Sequence, residues 1–176
     1  MPVDALTVKE MIREVPDFPR AGVSFKDLTP LLADPGGLAA VVDWMVERLT
    51  PASVDVVAGI EARGFLLAGA VARALGTGVV PIRKAGKLPW EVEAEAYSLE
   101  YGDDRLEVHR DALRPGQTVA LVDDVLATGG TAAAAGTLVR RLGARVGPAV
   151  FVVELESLGG RARLKGHDVH CLVAYP

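Results

Sequence analysis

Two adjacent aspartates stand directly before a glycine-rich turn in the segment LVDDVLATGGT, residues 121–131. The apolar residues that precede Asp123 and Asp124 are typical of a buried strand, and the pattern from about Thr131 onward indicates a helix. Glycines at such a junction let backbone N–H groups converge on one point, and the amino end of the helix adds partial positive charge there. The segment therefore predicts a phosphate-binding turn.

The paired carboxylates need a different partner, because they would repel a phosphate. An ionised carboxylate accepts hydrogen bonds from hydroxyls, so two neighbouring carboxylates suit vicinal hydroxyls. A ribose 5-phosphate with free 2- and 3-hydroxyls offers both groups. The commoner phosphate loops do not fit, since the chain contains neither GxxxxGK nor a GxGxxG after a strand.

The elements around this segment must hold it at the edge of a sheet. From residue 54 onward, short apolar runs alternate with helical periodicity, which favours an α/β fold with a central, mostly parallel sheet flanked by helices. Ligands of such sheets bind beyond the carboxyl ends of the strands, where the two aspartates lie. The predicted strands are 54–60, 78–83, 118–124, 146–155 and 170–175, and the predicted helices are 5–15, 36–49, 65–75 and 131–142.

Residues 83–113 interrupt the alternation of strands and helices. A long polar loop is followed by two short alternating runs around YGDD, which predicts a loop and a β-hairpin inserted into the domain. Long loops in compact domains are usually functional, so we expect a lid over the site.

Length and composition favour one globular domain that spans residues 1–176. The formal net charge of −4 argues against a general nucleic-acid binder. Cys171 is the single cysteine, which excludes an internal disulfide and fits a reducing compartment. Neither a membrane-spanning apolar run nor a signal-peptide core is apparent, so we expect a soluble cytoplasmic protein without nucleic-acid or membrane partners.

The segment 121–131 resembles the phosphoribosyl-pyrophosphate signature of the type I phosphoribosyltransferase family. Three further segments narrow the resemblance to the adenine phosphoribosyltransferases: DFPRAGVSFKDLTPLL (17–32), GIEARGFLLAGAVA (59–72) and IRKAGKLP…YSLEYG (82–102). The similarity runs in order from about residue 5 to 175. It implies the type I phosphoribosyltransferase fold, with an N-terminal hood that recognises the base at 1–35 and a lid loop and hairpin at 83–110.

The resemblance implies a purine salvage enzyme, a glycosyltransferase that moves the phosphoribosyl group of 5-phosphoribosyl 1-pyrophosphate to N9 of adenine. The products would be AMP and pyrophosphate. It also implies Mg²⁺, held mainly by pyrophosphate and water, and a homodimer. Two alternatives stay open: another base, such as xanthine, hypoxanthine or orotate, or a non-catalytic sensor of phosphoribosyl pyrophosphate.

Three residues would have catalytic roles through this resemblance. Arg63 would contact the diphosphate from the loop 61–64, for which its planar, two-pronged guanidinium is suited. Lys87 would lie on the lid, next to Arg83 and Lys84 in RKAGK. Glu100 would contact the purine near N7 and move a proton as the base attacks.

The other implied residues bind substrate. Phe25 would stack on adenine, and backbone groups near Val23 and Lys26 would read its edge. Two positions depart from the family pattern, since Lys26 stands where Arg is common and Trp90 where a polar residue is common. The remaining contacts would be Asp123 and Asp124 on the ribose hydroxyls, Ala127, Thr128, Gly129, Gly130 and Thr131 around the 5-phosphate, Glu61 and Ala62 in the pyrophosphate loop, and Tyr101 beside the lid.

Overall fold

A seven-stranded sheet with helices on both faces organises the chain. The structure is a computed structural model that describes residues 5–99 and 102–176. Its helices are α1 (Ala5–Glu10), α2 (Thr29–Ala33), α3 (Pro35–Leu49), α4 (Gly64–Leu75), α5 (Gly130–Arg141) and α6 (Gly160–Arg163). Its strands are β1 (Arg13–Val15), β2 (Phe25–Asp27), β3 (Val56–Ile60), β4 (Gly78–Lys84), β5 (Val92–Leu99), β6 (Gly102–His109), β7 (Thr118–Leu126), β8 (Arg145–Leu155) and β9 (Val169–Tyr175).

The large sheet has the strand order β5-β6-β4-β3-β7-β8-β9. Its five strands from β4 to β9 are parallel, whereas β6 pairs antiparallel with both β4 and β5. The predicted α/β fold with a mostly parallel central sheet is therefore confirmed. Within the described residues, no helix combines the length and the apolar character needed to cross a membrane.

Alternation along the buried strands builds a core on each face of the sheet. Val57 packs in the cluster that contains residues of α3 and α4, whereas Ala58 and Ile60 pack in the cluster that contains residues of α5. Burying each such aliphatic side chain contributes about 1.5–3 kcal/mol, which accounts for the fully apolar sequence of β3.

The edge of the sheet near β7 is uneven, and this unevenness exposes the aspartates. The pairing of β7 with β3 ends at Gly59 and Val122, whereas its pairing with β8 continues to Leu126 and Glu154. The segment that follows Val122 therefore has a free side where β3 has ended. Asp123 and Asp124 lie in this segment, as the sequence predicted.

The amino-terminal segment differs from the predicted helix 5–15. Helix α1 ends at Glu10, and Arg13–Val15 instead pairs antiparallel with Phe25–Asp27 in a separate two-stranded sheet. Ile12 is still buried in the core, as is Val8 within α1. The apolar residues of the segment are therefore spaced as in a helix because they are buried on both sides of the end of α1. Pairing with a distant strand overrode the local helical pattern at the end of the segment.

The inserted region is more regular than the predicted long loop. Only residues 85–91 connect β4 to β5, and the exposed Trp90 lies in this connection. Polar residues enter β5 because Glu93 and Glu95 form ion pairs with Arg141 near the end of α5. Strand β5 therefore has a charged face that α5 covers. In the sequence, such a run of charged residues resembles a loop.

Candidate active site

A cleft of about 640 Å³ opens where the carboxyl ends of β3 and β7 meet the hairpin and the amino-terminal segment. A smaller pocket of about 380 Å³ adjoins it at the glycine turn. Of the predicted site residues, the cleft or this pocket brings together Val23, Phe25, Lys26, Glu61, Ala62, Arg63, Lys87, Asp123, Asp124, Ala127, Thr128, Gly129 and Thr131, and Gly130 lies between two of them as the first residue of α5.

The smaller pocket has the form of an anion site. It is lined by the turn that leads into α5, and among the described side chains none caps this helix. The first N–H groups of a helix lack intrahelical partners and carry partial positive charge. A phosphate group in this pocket would therefore accept hydrogen bonds from the backbone of residues 129–132.

The glycine turn is packed against a second turn far along the chain. Gly129 has φ of +77°, a conformation that glycine adopts without strain. A Cβ at Gly129 would collide with the carbonyl oxygen of Gly160, and a Cβ at Gly160 would collide with that of Ala127. The side chain of Arg161 holds the second turn, since its Nε lies 2.8 Å from Oε1 of the buried Glu154. The phosphate turn is thus fixed by backbone contact.

The two aspartates differ in environment. The carboxylate of Asp124 is buried and forms an ion pair with Arg63, whereas Oδ1 of Asp123 accepts a hydrogen bond of 2.9 Å from the N–H of Asp124. Burial, followed by repulsion from Asp124, raises the pKa of Asp123 well above its ordinary value.

Helix α4 comes unusually close to this pair of aspartates. A Cβ at Gly64 would lie 2.8 Å from Oδ1 of Asp123 and 2.9 Å from the carbonyl oxygen of Val122. Such contacts are shorter than Cβ atoms tolerate, so the helix can start here only with glycine. This close approach places the loop 61–63 directly beside the aspartates.

Glu61 gathers the basic residues on the other side of the cleft. Its peptide bond to Ala62 is cis, and its side chain is only 7% exposed. Its carboxylate accepts hydrogen bonds from Nζ of Lys87 at 2.5 Å, from the N–H of Lys84 at 2.9 Å and from Nε of Arg83 at 3.3 Å. Glu61 therefore holds the side chains of Lys87 and Arg83 and the backbone of Lys84 at one side of the cleft, which Lys84 and Lys87 line.

The protonation of Glu61 follows from these contacts. Burial alone would raise the pKa of Glu61, but hydrogen bonds from Lys87, from the N–H of Lys84 and from Arg83 outweigh it and lower the pKa to about 2. Glu61 is thus ionised at neutral pH and holds Lys87 in place.

The amino-terminal segment supplies an aromatic platform. The ring of Phe25 packs edge-on against Phe18, with centroids 5.2 Å apart, and the guanidinium of Arg63 lies 5.7 Å from its centroid. This arrangement offers one flat apolar surface within reach of the cations. A planar aromatic ligand is the natural occupant of such a surface.

Lys26 directs its charge into the protein. Its side chain is 9% exposed, forms an ion pair with Glu14, and lies 4.4 Å from the ring centroid of Tyr175. Burial and the charge of Lys9 lower the pKa of Lys26. Because the ammonium already has these partners, the backbone of residues 23–26 is the part left to contact a ligand in the cleft.

Comparison with known proteins agrees with this geometry. Residues 28–173 match the model of the phosphoribosyl transferase domain family. The adenine phosphoribosyltransferase of Parvibaculum lavamentivorans is 52% identical over 167 residues, which cover 95% of each chain. The chain belongs to the adenine phosphoribosyltransferase family. The resemblance inferred from the four sequence motifs is confirmed.

Solved structures of the adenine phosphoribosyltransferase family share the fold along the whole chain. The enzyme of Thermoanaerobacter pseudethanolicus superposes with a TM-score of 0.95 at 45% identity and covers 98% of this chain and 100% of its own. The enzyme of Saccharomyces cerevisiae, solved with adenine and an imino-altritol bisphosphate, gives a TM-score of 0.90 at 40% identity and covers 96% and 98%. These matches confirm the type I phosphoribosyltransferase fold.

Two of the predicted site residues, Glu100 and Tyr101, lie outside the described residues, so their roles remain predictions. Conversely, Tyr97 and Asp104 line the cleft but were not predicted as site residues, and Lys84 was predicted only as a member of the RKAGK cluster. The sequence placed the turn of the hairpin at YGDD, which includes Asp104. In the structure β6 begins at Gly102, so Asp104 is the cross-strand neighbour of Tyr97.

The cleft offers a magnesium ion few protein ligands. Within the described residues, no group of three or more His, Cys, Asp or Glu side chains is placed to hold a metal. Carboxylates line the cleft, and Mg²⁺ usually keeps several waters while it binds substrate phosphates and few protein oxygens. The donor set fits a magnesium ion held chiefly by diphosphate oxygens and water.

Proposed function

We propose that the chain transfers the phosphoribosyl group of 5-phosphoribosyl 1-pyrophosphate to N9 of adenine, forming AMP and pyrophosphate in purine salvage. One observation carries this conclusion. A phosphate turn, a carboxylate pair, a cationic wall and an aromatic platform line one cleft and the pocket that adjoins it, and these are the groups that a 5-phosphate, ribose hydroxyls, a diphosphate and a purine base each require.

The sugar-phosphate half of the site positions the ribose. Backbone N–H groups of residues 127–131 hold the 5-phosphate, and Asp123 and Asp124 accept hydrogen bonds from the 2- and 3-hydroxyls. Since Arg63 is paired with Asp124, the sugar hydroxyl and Arg63 share this carboxylate or exchange places on it. The anomeric carbon is thereby fixed between diphosphate and base.

The cationic wall stabilises the leaving group. Arg63 and Lys87, with Arg83 and Lys84 beside them, are placed to balance the charge that grows on pyrophosphate as the glycosidic bond breaks. Bound Mg²⁺ would supply further charge neutralisation on the same oxygens. Glu61 keeps Lys87 and Arg83 oriented until the diphosphate arrives.

The base half selects adenine. Phe25 stacks on the purine, and backbone groups of Val23 and Lys26 read its edge, which makes the change from Arg to Lys at position 26 tolerable because the ammonium of Lys26 binds elsewhere. Glu100 moves a proton at N7, and Tyr101 positions the lid. The adenine in the related yeast structure supports this choice of base.

The decisive experiment is an assay with 5-phosphoribosyl 1-pyrophosphate and each of adenine, hypoxanthine, guanine, xanthine and orotate, with and without Mg²⁺. We expect AMP from adenine alone, pyrophosphate in equal amount, and loss of turnover when a chelator removes Mg²⁺. Turnover of another base would overturn the base assignment, and binding of the sugar substrate without turnover would favour a sensor.

The same assay tests the proton-transfer role of Glu100. The variant Glu100→Gln keeps the shape of the side chain but cannot exchange a proton, so kcat should fall by about 10²-fold while KM for the sugar substrate changes little. An unchanged kcat would remove Glu100 from the chemistry.

We further propose a cytoplasmic homodimer. The substrate and product are highly charged phosphate esters that do not cross membranes unaided, which places their enzyme where they are made. Exposed apolar side chains on neighbouring elements, Leu66 on α4 and Val79 on β4, support a subunit contact.

A further inference from the structure

Asp104 presents a problem of charge, because it is a carboxylate in a cleft that takes an anionic substrate. It lines the cleft together with Lys84, Tyr97 and Thr131. A free carboxylate at this point would repel the diphosphate. The contacts of Asp104 explain why this carboxylate is tolerated in the cleft.

One oxygen of Asp104 receives two donors. Oδ2 lies 3.1 Å from the hydroxyl of Tyr97 and 3.2 Å from Nζ of Lys84, and Oδ1 accepts a hydrogen bond of 2.8 Å from the N–H of Arg105. Tyr97 and Asp104 are direct cross-strand partners of β5 and β6. The carboxylate thus has three donors, and the two that belong to the hairpin, Tyr97 and the N–H of Arg105, fix its position there.

The same network connects the hairpin with the cationic wall. Lys84 is the last residue of β4, and its N–H is bound by Glu61. Tyr97 lines the cleft together with Thr131, in the first turn of α5. The contacts of Asp104 and Lys84 therefore join the hairpin to Glu61 at the edge of the cleft.

The charge state of Lys84 is consistent with a role toward an anion. The hydrogen bond and the charge of Asp104 raise the pKa of Lys84, and Asp104 itself remains ionised because its bonds from the N–H of Arg105, Lys84 and Tyr97 outweigh burial and lower its pKa. The ammonium of Lys84 is half-exposed toward the cleft. The pairing with Asp104 therefore fixes the ammonium of Lys84 and still leaves it accessible to an anionic ligand in the cleft.

The fold does not need this network to fasten the hairpin. Arg141 of α5 already binds the stem of β5, with Nη1 2.7 Å from the carbonyl oxygen of Ala94 and ion pairs to Glu93 and Glu95. Residues Asp104 and Tyr97 lie nearer the tip and face the cleft. Their contacts serve the site.

We infer that Asp104, with Tyr97, is a positioning residue for phosphoribosyl transfer, which holds the Lys84 ammonium over the cleft for the diphosphate. This inference rests on the proposed function. A lysine loses conformational freedom when it binds, so a lysine held beforehand binds the diphosphate more tightly.

The test is a double-mutant cycle on Asp104 and Lys84, read by KM and kcat for each substrate and by calorimetric titration with pyrophosphate. Asp104→Asn should raise KM for the sugar substrate and weaken pyrophosphate binding about fivefold each, with KM for adenine unchanged. In a Lys84→Met background the same change should have no further effect. Tyr97→Phe should reproduce part of the loss.

Glu95→Gln is the matched control, because Glu95 lies on the same hairpin with similar exposure and pairs with Arg141 outside the cleft. It should lower the melting temperature at least as much as Asp104→Asn and leave both KM values unchanged. Tighter pyrophosphate binding in Asp104→Asn, or an equal loss in the Lys84→Met background, would overturn the inference. If the wild type makes no AMP, the proposed function fails, while the pyrophosphate titrations still decide the role of Asp104.

Discussion

Glu61 is a carboxylate whose function at neutral pH is to hold cations. Its partners are the side chains of Lys87 and Arg83 and the backbone N–H of Lys84, all from one short segment, RKAGK, whereas the ammonium of Lys84 pairs with Asp104. The cation cluster could be predicted from the sequence because like charges stood together. The organising role of Glu61 could not, because it depends on β3 and β4 ending side by side.

The ionisation of Glu61 predicts a pH-dependent contribution to stability. In the unfolded chain Glu61 takes up its proton near pH 4.5, whereas in the folded protein it does so near pH 2. Because the folded pKa is the lower one, the stabilisation is complete above about pH 4.5 and is lost as the pH falls toward 2. Glu61→Gln should lower the free energy of unfolding at pH 7 by about 2 kcal/mol.

Urea denaturation of wild type and Glu61→Gln from about pH 7 down to about pH 3.5 measures this contribution. The difference between the two proteins should be constant above about pH 5 and should shrink below about pH 4.5. A difference that stays the same at the acidic end would contradict the lowered pKa.

At the scale of elements, the phosphate turn depends on contact between two turns that lie 31 positions apart at Gly129 and Gly160. The sequence predicted the turn, the helix after it and the ligand, because these are local patterns. It did not predict the Gly129–Gly160 contact, because the second turn shows only a pair of glycines at 159–160, which many loops contain.

Gly129→Ala should distort the phosphate turn, since it adds both backbone strain at positive φ and a collision with Gly160. We expect a loss of about 2 kcal/mol in stability and a rise of more than about tenfold in KM for the sugar substrate. Gly136→Ala in α5, the helix that follows the turn, is the control, because its nearest contact would be an ordinary 3.6 Å. It should be neutral or slightly stabilising by about 0.5 kcal/mol. Equal behaviour of the two variants would count against the packed turn.

At the scale of the whole molecule, the order of strands and helices from residue 54 onward was predicted well, because the central strands β3, β7 and β8 are buried on both faces and read as apolar runs. The sequence was less informative at β1 and β5. The sequence of Arg13–Val15 continues the helical pattern of the preceding residues, although in the structure it pairs with β2. The sequence of β5 looks polar because it contains glutamates, and the strand accommodates them because Arg141 pairs with them.

Quaternary structure is the other property of the whole molecule that can be tested. Leu66 is 62% exposed and Val79 is 50% exposed, although both belong to the apolar elements α4 and β4. Light scattering should give twice the 18.5 kDa of one chain, and Leu66→Glu should shift the protein toward the monomer. Trp90→Ser, which removes a still more exposed apolar side chain, should leave the mass unchanged. A monomeric wild type would contradict the proposed dimer.

The two tryptophans lie in opposite environments, and this has a practical consequence. Trp44 is buried in the core, at 8% exposed, whereas Trp90 is 67% exposed in the connection after Lys87. An aqueous quencher such as iodide would quench the fluorescence of Trp90 and leave the fluorescence of Trp44 unquenched. The chain therefore carries its own fluorescent reporter on the segment next to the cationic wall, with an internal reference, and needs no attached dye.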